Sequence, residues 1–489
     1  MRRQLGKFAI GNRHAINTLQ ARLSESSTEV TQDPLMWPAS MVNSLEDAVK
    51  ERLARFLTRS IVLTTAYSGM GAFEYTLKSL ATEMALSSKF VVYSACDNDE
   101  TCINVLLAHE GISAPQHVNV DITERWGRRV PAKLRALQRS FSLQVNALIV
   151  HGDRSRSAAV KEVGTTMLDA MDAVMRNATM RTPLKCRRCN RRCLRQPPPP
   201  EHDDVLRMHV AGSVCVEFSM RGKGARLTGR SAVVWMCWVW ERVHEKEDFI
   251  IHECTLQHPT EMLMHRYLGD SHITFVFKVC PSLMGYPCTR GRRIGVSISK
   301  QFIIRSERIP SPMLMFGRSS WLFHPSQYVS APAEHVQEYI QRRLCELNRE
   351  CASAVGKHML HSGDLFRLLG YESWMRKTFD QSFHHHLYCD VSQNCSYANG
   401  SSIQIGCLCT RSRWFSHGLQ REMLPREALQ LMGVPAFPDS ESLHHHCPWK
   451  HHLSALSDAQ LRKLVGNSMH APCMAAVILW MFGSLVEPP

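Results

Sequence analysis

One cysteine lies in a tight turn that could hold a reactive thiol. The stretch AGSVCVEFSMRGKG, residues 211–224, places Cys215 after Gly-Ser-Val and before a Phe-Ser pair and a glycine-rich basic run. A free thiol is only a few per cent ionised at neutral pH, so a nucleophilic cysteine needs nearby cations or a base. These residues alone fit a buried thiol, a metal ligand or a nucleophile. The rest of the chain must therefore supply the partners.

An acid and two arginines lie further along the chain at predicted strand ends. Glu253 lies in IIHECTL, and Arg290 and Arg292 lie in GYPCTRGRRIGVSI. The strands that lead to Cys215 and to these side chains are expected in one sheet, where ligands bind at the carboxyl ends of parallel strands. A thiol, a carboxyl group and two guanidinium groups that converge there could perform covalent catalysis.

Residues that could hold a nucleoside follow the first three predicted strands. YSGMG, residues 67–71, has glycines where a backbone must approach a ligand closely. Asp97 follows about one βα unit later, where an acid can bind ribose hydroxyls, and Asp121 ends the next strand, placed to meet an adenine amino group. Taken alone, each acid also fits a solvated strand end or a helix cap.

The elements that must position these residues alternate between strands and helices. A helix is predicted at SLEDAVKERLARFLTRS, and the C-terminal SDAQLRKLVGNSMHAPCMAAVILWMF is predicted as a turn followed by an apolar helix. The predicted strands are IVLTTAY, KFVVYSAC, HVNVDIT, VNALIVHGD, VLRMHVAGSVC, DFIIHECTL and RRIGVSISKQFII. This alternation predicts an α/β fold with a parallel sheet. Residues 300–415 are irregular and rich in histidine, which predicts a separate small domain.

Residues 155–205 interrupt the alternation. KCRRCNRRCLRQPPPPEHDD is basic and rich in Cys and Pro, which predicts an inserted surface loop. Cys186, Cys189 and Cys193 could bind zinc with His202, but a second Cys-x-x-Cys pair is missing. We therefore expect a solvated basic loop that touches phosphate, and no metal among the site residues.

In chain order, these segments resemble the motifs of the cytosine-5 DNA methyltransferase family, over roughly 60–480. TAYSGMGAFE resembles the family's first cofactor loop, SACDND and VDI its next two motifs, and VCVEFSMRG its Pro-Cys-Gln-x-Phe-Ser segment. HECT stands where Glu-Asn-Val is usual, GYPCTRGRR resembles Gly-x-Pro-Gln-x-Arg-x-Arg, and REALQLMGVP and VGNSM resemble the last two motifs. The chain departs from the family pattern at Thr65, Ala72, Val214, Val216, Cys254, Thr255 and Cys288.

The resemblance implies a fold, a cofactor and residue roles. It implies a Rossmann-like S-adenosylmethionine-dependent methyltransferase sheet with a smaller target-recognition domain. Residues 1–58 read as a basic leader and a helix. The implied domains after them are a catalytic domain at 59–300 with the basic Cys- and Pro-rich insert at about 155–205, target recognition at 301–415 and a return to the catalytic domain at 416–489. The implied cofactor residues are Tyr67, Ser68, Gly69, Met70, Gly71, Asp97, Asp121, Ile122 and Asn467. The implied catalytic residues are Cys215, which attacks carbon 6 of cytosine, Glu253 at ring nitrogen 3, Arg292 at the base carbonyl and Arg290, which supports the cysteine loop or contacts a phosphate.

Composition favours an intracellular protein with an anionic partner. The formal charge is +14, which suits DNA, or RNA as the alternative. Eighteen cysteines spread over 489 residues without a secretory signal read as reduced thiols, and the apolar run 471–486 reads as a buried helix rather than a membrane span. We expect a nuclear protein. The first 24 residues, with five Arg or Lys and no acid, also fit a transit peptide for a mitochondrion or plastid, or a solvated tail.

Three functional hypotheses remain open at this point. The first is an active DNA cytosine methyltransferase, supported by Cys215, Glu253 and Arg292. The second is a degenerate relative that binds nucleic acid without turnover, supported by Val214, Val216 and Cys254. The third keeps the chemistry and makes RNA the substrate.

Overall fold

The structure is a computed structural model that describes residues 33–85, 90–150, 156–181, 183–194, 205–214, 216–218, 225–304, 311–317, 323–349, 356–378, 386–394, 404–437 and 447–486. Most of the predicted leader, the proposed ligand His202 and the predicted nucleophile Cys215 lie outside these residues.

Helices and strands alternate through the first two thirds of the chain. The helices are α1 (Trp37–Asn43), α2 (Asp47–Leu57), α3 (Ala72–Glu83), α4 (Glu100–Ala108), α5 (Arg129–Val150), α6 (Arg156–Arg176), α7 (Ser231–Glu245), α8 (Thr260–Leu268), α9 (Pro312–Phe316), α10 (Ala333–Glu346), α11 (Ser362–Thr378), α12 (Pro425–Leu431), α13 (Asp458–Asn467) and α14 (Ala471–Gly483). The strands are β1 (Ser60–Ala66), β2 (Phe90–Cys96), β3 (His117–Asn119), β4 (Leu184–Lys185), β5 (Arg192–Cys193), β6 (Val205–Gly212), β7 (Phe249–Thr255), β8 (His272–Val279), β9 (Arg292–Ser299), β10 (Ile303–Ile304), β11 (Tyr388–Asp390), β12 (Trp414–Ser416), β13 (Arg421–Glu422) and β14 (Leu485–Val486).

Seven strands form the central sheet, in the order β3-β2-β1-β6-β7-β9-β8. All neighbouring pairs are parallel except β7 with β9 and β9 with β8, so β9 alone runs against the other six. The strand order reverses between β1 and β6. Open α/β sheets bind ligands at such a point, outside the carboxyl ends of the strands. The predicted α/β class is confirmed, and the sheet predicted as parallel is parallel except for β9.

Helices cover both faces of this sheet. Along β7, Phe249 and Ile251 face the core that contains α1, α2, α3 and α14, whereas Ile250 faces the core under α6, α7 and α8. This alternation follows from the two-residue period of a strand, and a strand that is apolar on both faces requires cover on both sides. The domain therefore has three layers.

One predicted strand was wrong, and the insert begins with a helix. Residues 145–150 of the predicted strand VNALIVHGD form the end of helix α5, and residues 156–176, within the predicted insert, form helix α6. Met167, Leu168, Met171 and Met175 are buried along α6, so this helix belongs to the core. A short apolar run does not distinguish a strand from a buried helix segment, which explains the error in the strand.

A smaller unit follows the main sheet. Strands β11, β12 and β13 form an antiparallel sheet, and Leu360, Leu368, Tyr371 and Phe415 form a hydrophobic cluster of its own. β13 lies beyond residue 415, although it pairs with β12. The sheet therefore extends past the boundary predicted for this domain.

The C-terminal segment returns to the main core. It contains two helices, because Ser457 caps α13 with a capping box to Gln460 where the sequence predicted only a turn. The stretch Asp458–Gly483 is long and apolar enough to cross a membrane by composition, yet 83% of its most apolar window is buried inside the protein. Every residue of α14 is buried, as the prediction of a buried helix required.

Candidate active site

The loop after β1 is attached to the neighbouring strand β2 through Ser68. The Ser68 amide donates to the Cys96 carbonyl at 3.1 Å, and the Ser68 hydroxyl oxygen accepts from the Cys96 amide, also at 3.1 Å. These bonds join the first predicted cofactor motif to the strand that carries the second. The loop therefore has a fixed position over the carboxyl end of β2.

Asp97 lies directly after β2 and faces that loop. Its Oδ2 accepts a hydrogen bond from the Gly69 amide at 2.8 Å, and its Oδ1 accepts from the Asp99 amide at 2.9 Å. Burial raises the pKa of this carboxyl, and these backbone donors act in the opposite direction. Each carboxylate oxygen can accept a second hydrogen bond, so the geometry leaves acceptor capacity for ribose hydroxyls.

Gly71 is required by packing against a histidine. Its φ is +76°, and a Cβ at this position would lie 2.4 Å from Cε1 of His109. The His109 ring stacks on Trp449 at 4.7 Å and places Nε2 at 2.9 Å from the Met70 carbonyl oxygen. Burial lowers the pKa of His109 to about 4, so the ring is neutral at pH 7 and donates a single hydrogen bond. The predicted ligand loop is thus supported from behind by a neutral imidazole.

The remaining predicted cofactor residues divide into two groups. Asn467 and Tyr67 line one small cavity together with Thr65, Phe73, Glu74 and Met469. Asp121 caps the short 3₁₀ helix Ile122–Trp126 through the Thr123 amide, and the side chains of Ile122 and Met70 are buried in hydrophobic cores. The structure therefore brings Tyr67, Gly69 and Asn467 together. The Met70 side chain is buried, and the loop contact that Met70 makes to His109 is through its backbone carbonyl.

A buried acid lies beneath the first loop. The Thr65 hydroxyl donates to Glu74 Oε1 at 2.7 Å and lies 2.7 Å from the Ser68 hydroxyl. Burial raises the pKa of Glu74 to about 7. Helix α3 thus places a carboxyl group directly beneath the loop that follows β1.

The residues predicted to be catalytic lie on the other side of the strand-order reversal. β6 ends at Gly212, and the Ser213 amide donates to the Glu253 carbonyl at 3.1 Å. The Ser213 hydroxyl lies 2.8 Å from Nε2 of His252, whose pKa burial lowers to about 3. The chain enters the predicted nucleophile loop from this anchored point, but Cys215 itself lies outside the described residues.

Gly212 is where the two halves of the site meet. A Cβ here would lie 2.9 Å from the Met469 side chain, 3.5 Å from Glu253 Oε2 and 3.6 Å from the Tyr67 carbonyl oxygen. A larger residue here would require the end of the Met469 side chain to move. The Glu253 carboxylate therefore lies beside the predicted cofactor loop.

Glu253 and Arg292 form a close ion pair. Oε1 of Glu253 lies 2.6 Å from Nε of Arg292, and both side chains are largely buried. The two residues are on the neighbouring strands β7 and β9, near the carboxyl end of β7. The structure thus brings together the acid and one of the two arginines that the sequence singled out.

Arg290 contacts the backbone of two distant segments. Its guanidinium is buried and donates to the backbone carbonyls of Leu408, Gly466 and Ser468, with the Leu408 bond at 2.8 Å. Its predicted role, support of the cysteine loop or contact with a phosphate, stays a prediction. Arg290 fixes the backbone on both sides of Asn467, which makes it a positioning residue.

A second thiol lies beside the arginines and was missed by the sequence analysis. A hydrogen bond with Cys409, together with the positive charges of Arg290 and Arg292, lowers the pKa of the partly exposed Cys407 to about 4, against the effect of burial. The segment GCLCTR carries no signal of this by itself. Only the fold brings it to the arginines of another segment.

The structure is similar to several solved methyltransferase structures, at low identity. One is a prophage-encoded chain described as a DNA modification methyltransferase (E. coli), with TM-score 0.42, 11% identity, 87% of this chain covered and 99% of that one. Others are Dnmt2 of S. pombe, with TM-score 0.43, 13% identity and coverage of 86% and 96%, and EhMeth of Entamoeba histolytica, with TM-score 0.43, 10% identity and coverage of 87% and 98%. No protein-family model and no curated protein matches the sequence. Likeness at this level does not assign an activity.

Proposed function

We propose that this chain transfers a methyl group from S-adenosylmethionine to carbon 5 of cytosine in DNA, through a covalent bond between Cys215 and carbon 6. The order of eight motifs along the sequence and the geometry at the strand-order reversal support this proposal. The observation that carries it is the position of Glu253: paired with Arg292, it lies beside the loop that follows β1.

The cofactor would bind on the β1–β2 side of the site. Asp97 provides a carboxylate at the end of β2, and the cavity beside Tyr67 and Asn467 lies at the same edge of the sheet. This donor set suits a nucleoside with two ribose hydroxyls, since a carboxylate can accept from both. When bound, S-adenosylmethionine supplies an electrophilic methyl group.

The protein residues would then activate the pyrimidine ring. The Cys215 thiolate would form a bond to carbon 6, and the electron pair of the carbon 5–carbon 6 double bond would become available at carbon 5 for the bond to the methyl carbon. The bond between that methyl carbon and the cofactor sulfur would break, and its electron pair would stay on sulfur, which leaves a neutral thioether. Glu253 would hydrogen-bond the ring at nitrogen 3 and limit the charge that develops on the ring as the adduct forms. Loss of the carbon 5 proton to a base and departure of the thiolate restore the double bond, so atoms and charge balance.

Arg292 would orient both Glu253 and the base. Its Nε lies at Glu253 and its Nη1 donates to the Gly291 carbonyl at 3.0 Å. A guanidinium has five N–H donors, so it can also donate to the carbonyl oxygen of cytosine. The target base must leave the duplex to reach these groups, because carbon 6 is inaccessible within the stack. The net positive charge favours a polyanionic substrate, and we propose a nuclear location on the same ground.

The alternative is a relative that binds nucleic acid without turnover. Val214 and Val216, which replace Pro and Gln beside the nucleophile, are 45% and 57% exposed. Two exposed apolar side chains at these positions cannot supply the polar contacts that a glutamine makes. A binder without turnover would keep the cofactor site and lose the chemistry.

A transfer assay distinguishes these functions. Tritiated methyl groups are offered to the full chain with DNA and with transfer RNA in parallel, and incorporation is measured. The proposal predicts label on cytosine carbon 5 of DNA. Label on RNA alone would identify RNA as the substrate. Binding of cofactor and DNA without any label would favour the binder.

A further inference from the structure

Four metal-ligating side chains meet at the edge of the main sheet, away from the proposed active site. One ring nitrogen of His117 and the sulfurs of Cys186, Cys189 and Cys193 all lie within 4.8 Å of one another. The Cys189 sulfur lies 3.4 Å from His117 Nδ1, and the Cys186 sulfur lies 3.8 Å from it. We propose that these four residues bind a structural zinc ion.

The distances agree with a tetrahedral site. With Zn–S bonds of about 2.3 Å and Zn–N bonds of about 2.05 Å, a regular tetrahedron has N–S edges of about 3.6 Å and S–S edges of about 3.8 Å. The two recorded N–S distances lie on either side of that value. Three thiolates and one imidazole complete the coordination of zinc and leave no open position for substrate, as in structural rather than catalytic sites.

The backbone around the cysteines is arranged to stabilise a thiolate. Strands β4 and β5 form a tight hairpin in which Leu184 pairs with Cys193, and the Cys186 amide donates to the Arg191 carbonyl at 2.9 Å. The amides of Val118 and Cys189 both lie 3.4 Å from the Cys186 sulfur. Amide donors directed at a sulfur favour its charged form, which is the form that binds metal.

The hairpin is too small to fold on its own apolar contacts. Each of its strands has two residues, and its buried side chains are Leu184 and the ligands Cys186 and Cys193. A metal or a disulfide commonly stabilises units of this size. All three thiols are free, and one disulfide would leave the third thiol and His117 without a role.

The basic composition of this segment complements the charge of a zinc–thiolate site. A site with three thiolates and one imidazole carries a net charge of about −1, and five cations surround it in the sequence, Lys185, Arg187, Arg188, Arg191 and Arg192. Two of them already have partners in the fold: Arg187 pairs with Glu100 at 2.6 Å, and Arg188 donates to the Leu106 and Leu107 carbonyls at the end of α4. These contacts attach the hairpin to the domain.

The metal would fasten the hairpin to edge strand β3. The Arg187 amide donates to the Val118 carbonyl at 2.8 Å, and the Asn119 side chain donates to the Lys185 carbonyl at 3.2 Å. The Asn119 carbonyl in turn accepts from the Asp97 amide at 3.2 Å. Zinc binding thus stabilises the strand beside Asp97. This consequence for the cofactor rests on the proposed function, whereas the metal site does not.

Metal content tests the proposal. The full chain, purified under reducing conditions without chelator, should contain about one zinc per chain by inductively coupled plasma mass spectrometry. His117→Asn and Cys189→Ser should lose most of it. His202→Ala, which removes the histidine favoured by sequence spacing, and Cys345→Ser, which alters an exposed thiol on α10, should retain it. Loss of zinc in His202→Ala with retention in His117→Asn would overturn the assignment of the fourth ligand.

A second measurement covers variants that fail to fold. Metal-free, reduced wild type is titrated with cobalt(II), and the spectrum is recorded. We expect saturation at about one equivalent, with thiolate charge-transfer and tetrahedral ligand-field bands that zinc abolishes. Absence of binding to the wild type, or octahedral bands without thiolate charge transfer, would refute the site. Neither readout depends on methyl transfer, so failure of the metal site and failure of the proposed function are distinguishable.

Discussion

Glu253 Oε1 lies 2.6 Å from Nε of Arg292. The pair joins the antiparallel strands β7 and β9 near the carboxyl end of β7, on the side of the sheet where the predicted nucleophile loop begins. A largely buried ion pair is costly to break from one side, because the remaining charge loses its partner. The two residues therefore act as a unit, in which the arginine fixes the carboxyl that the proposed chemistry needs.

Replacing the acid while keeping its shape should slow the chemical step. Glu253→Gln should reduce methyl transfer about 10²–10⁴-fold, the usual scale for a positioned acid. The fall should appear in kcat, with DNA and cofactor binding nearly unchanged, because an amide still fits beside Arg292. A steady-state assay at saturating substrate measures this. A variant with wild-type kcat would remove Glu253 from the mechanism.

Asp97 should control cofactor affinity in two separable ways. Asp97→Ala should weaken S-adenosylmethionine binding by about 1–3 kcal/mol, since a charged acceptor is lost together with the partner of the Gly69 amide. Asp97→Asn keeps an oxygen for that amide and loses the charge, so its effect should be smaller. Calorimetry on the folded variants measures both. Equal affinity in wild type and Asp97→Ala would place the cofactor elsewhere.

The buried acid Glu74 should make stability depend on pH. Burial raises its pKa from the ordinary value of 4.5 to about 7 in the folded protein. The stability that this raised pKa contributes is fully present below pH 4.5 and is lost as pH rises through 7. Glu74→Gln should therefore stabilise the protein at pH 8 by up to about 3 kcal/mol relative to its effect at pH 4.5.

Thermal unfolding of wild type and Glu74→Gln at a series of pH values measures this difference. A stability difference that does not change between pH 4.5 and pH 8 would show that Glu74 is ionised throughout. Thr65→Val is the matched variant, since it removes the hydroxyl that donates to Glu74 without changing the acid.

Cys407 should react as a thiolate at mildly acidic pH. Its pKa of about 4 and its partial exposure predict alkylation by iodoacetamide at pH 6, where ordinary thiols are almost entirely protonated. Peptide mass spectrometry after a short exposure compares it with Cys345, which is exposed on α10. Equal, slow labelling of both at pH 6 would contradict the lowered pKa of Cys407 and the effects of Cys409 and the two arginines that produce it.

The sequence was sufficient for local structure and for residues that share a strand end. β1 and its loop, the strand before Asp97 and the strand that carries Glu253 follow from apolar runs bounded by turn or acidic residues. The sequence could not supply pairings set by tertiary packing. Cys186 lies far from His117 in the chain, so spacing pointed to His202, and the carbonyls that hold Arg290 are more than a hundred residues away. Residues 145–150 were mistaken for a strand because their apolar run is too short to show a period.

Covalent capture tests the central claim, that Cys215 attacks cytosine. DNA that contains 5-fluorocytosine is incubated with S-adenosylmethionine and the full chain, and denaturing electrophoresis separates attached from free protein. Fluorine cannot leave as a cation, so methylated adduct should accumulate in wild type and be absent in Cys215→Ser, whose hydroxyl is far less ionised than a thiol. Cys254→Ser and Cys288→Ser should still form it. Adduct formation by Cys215→Ser, or its absence in a wild type that binds both DNA and cofactor, would contradict this account.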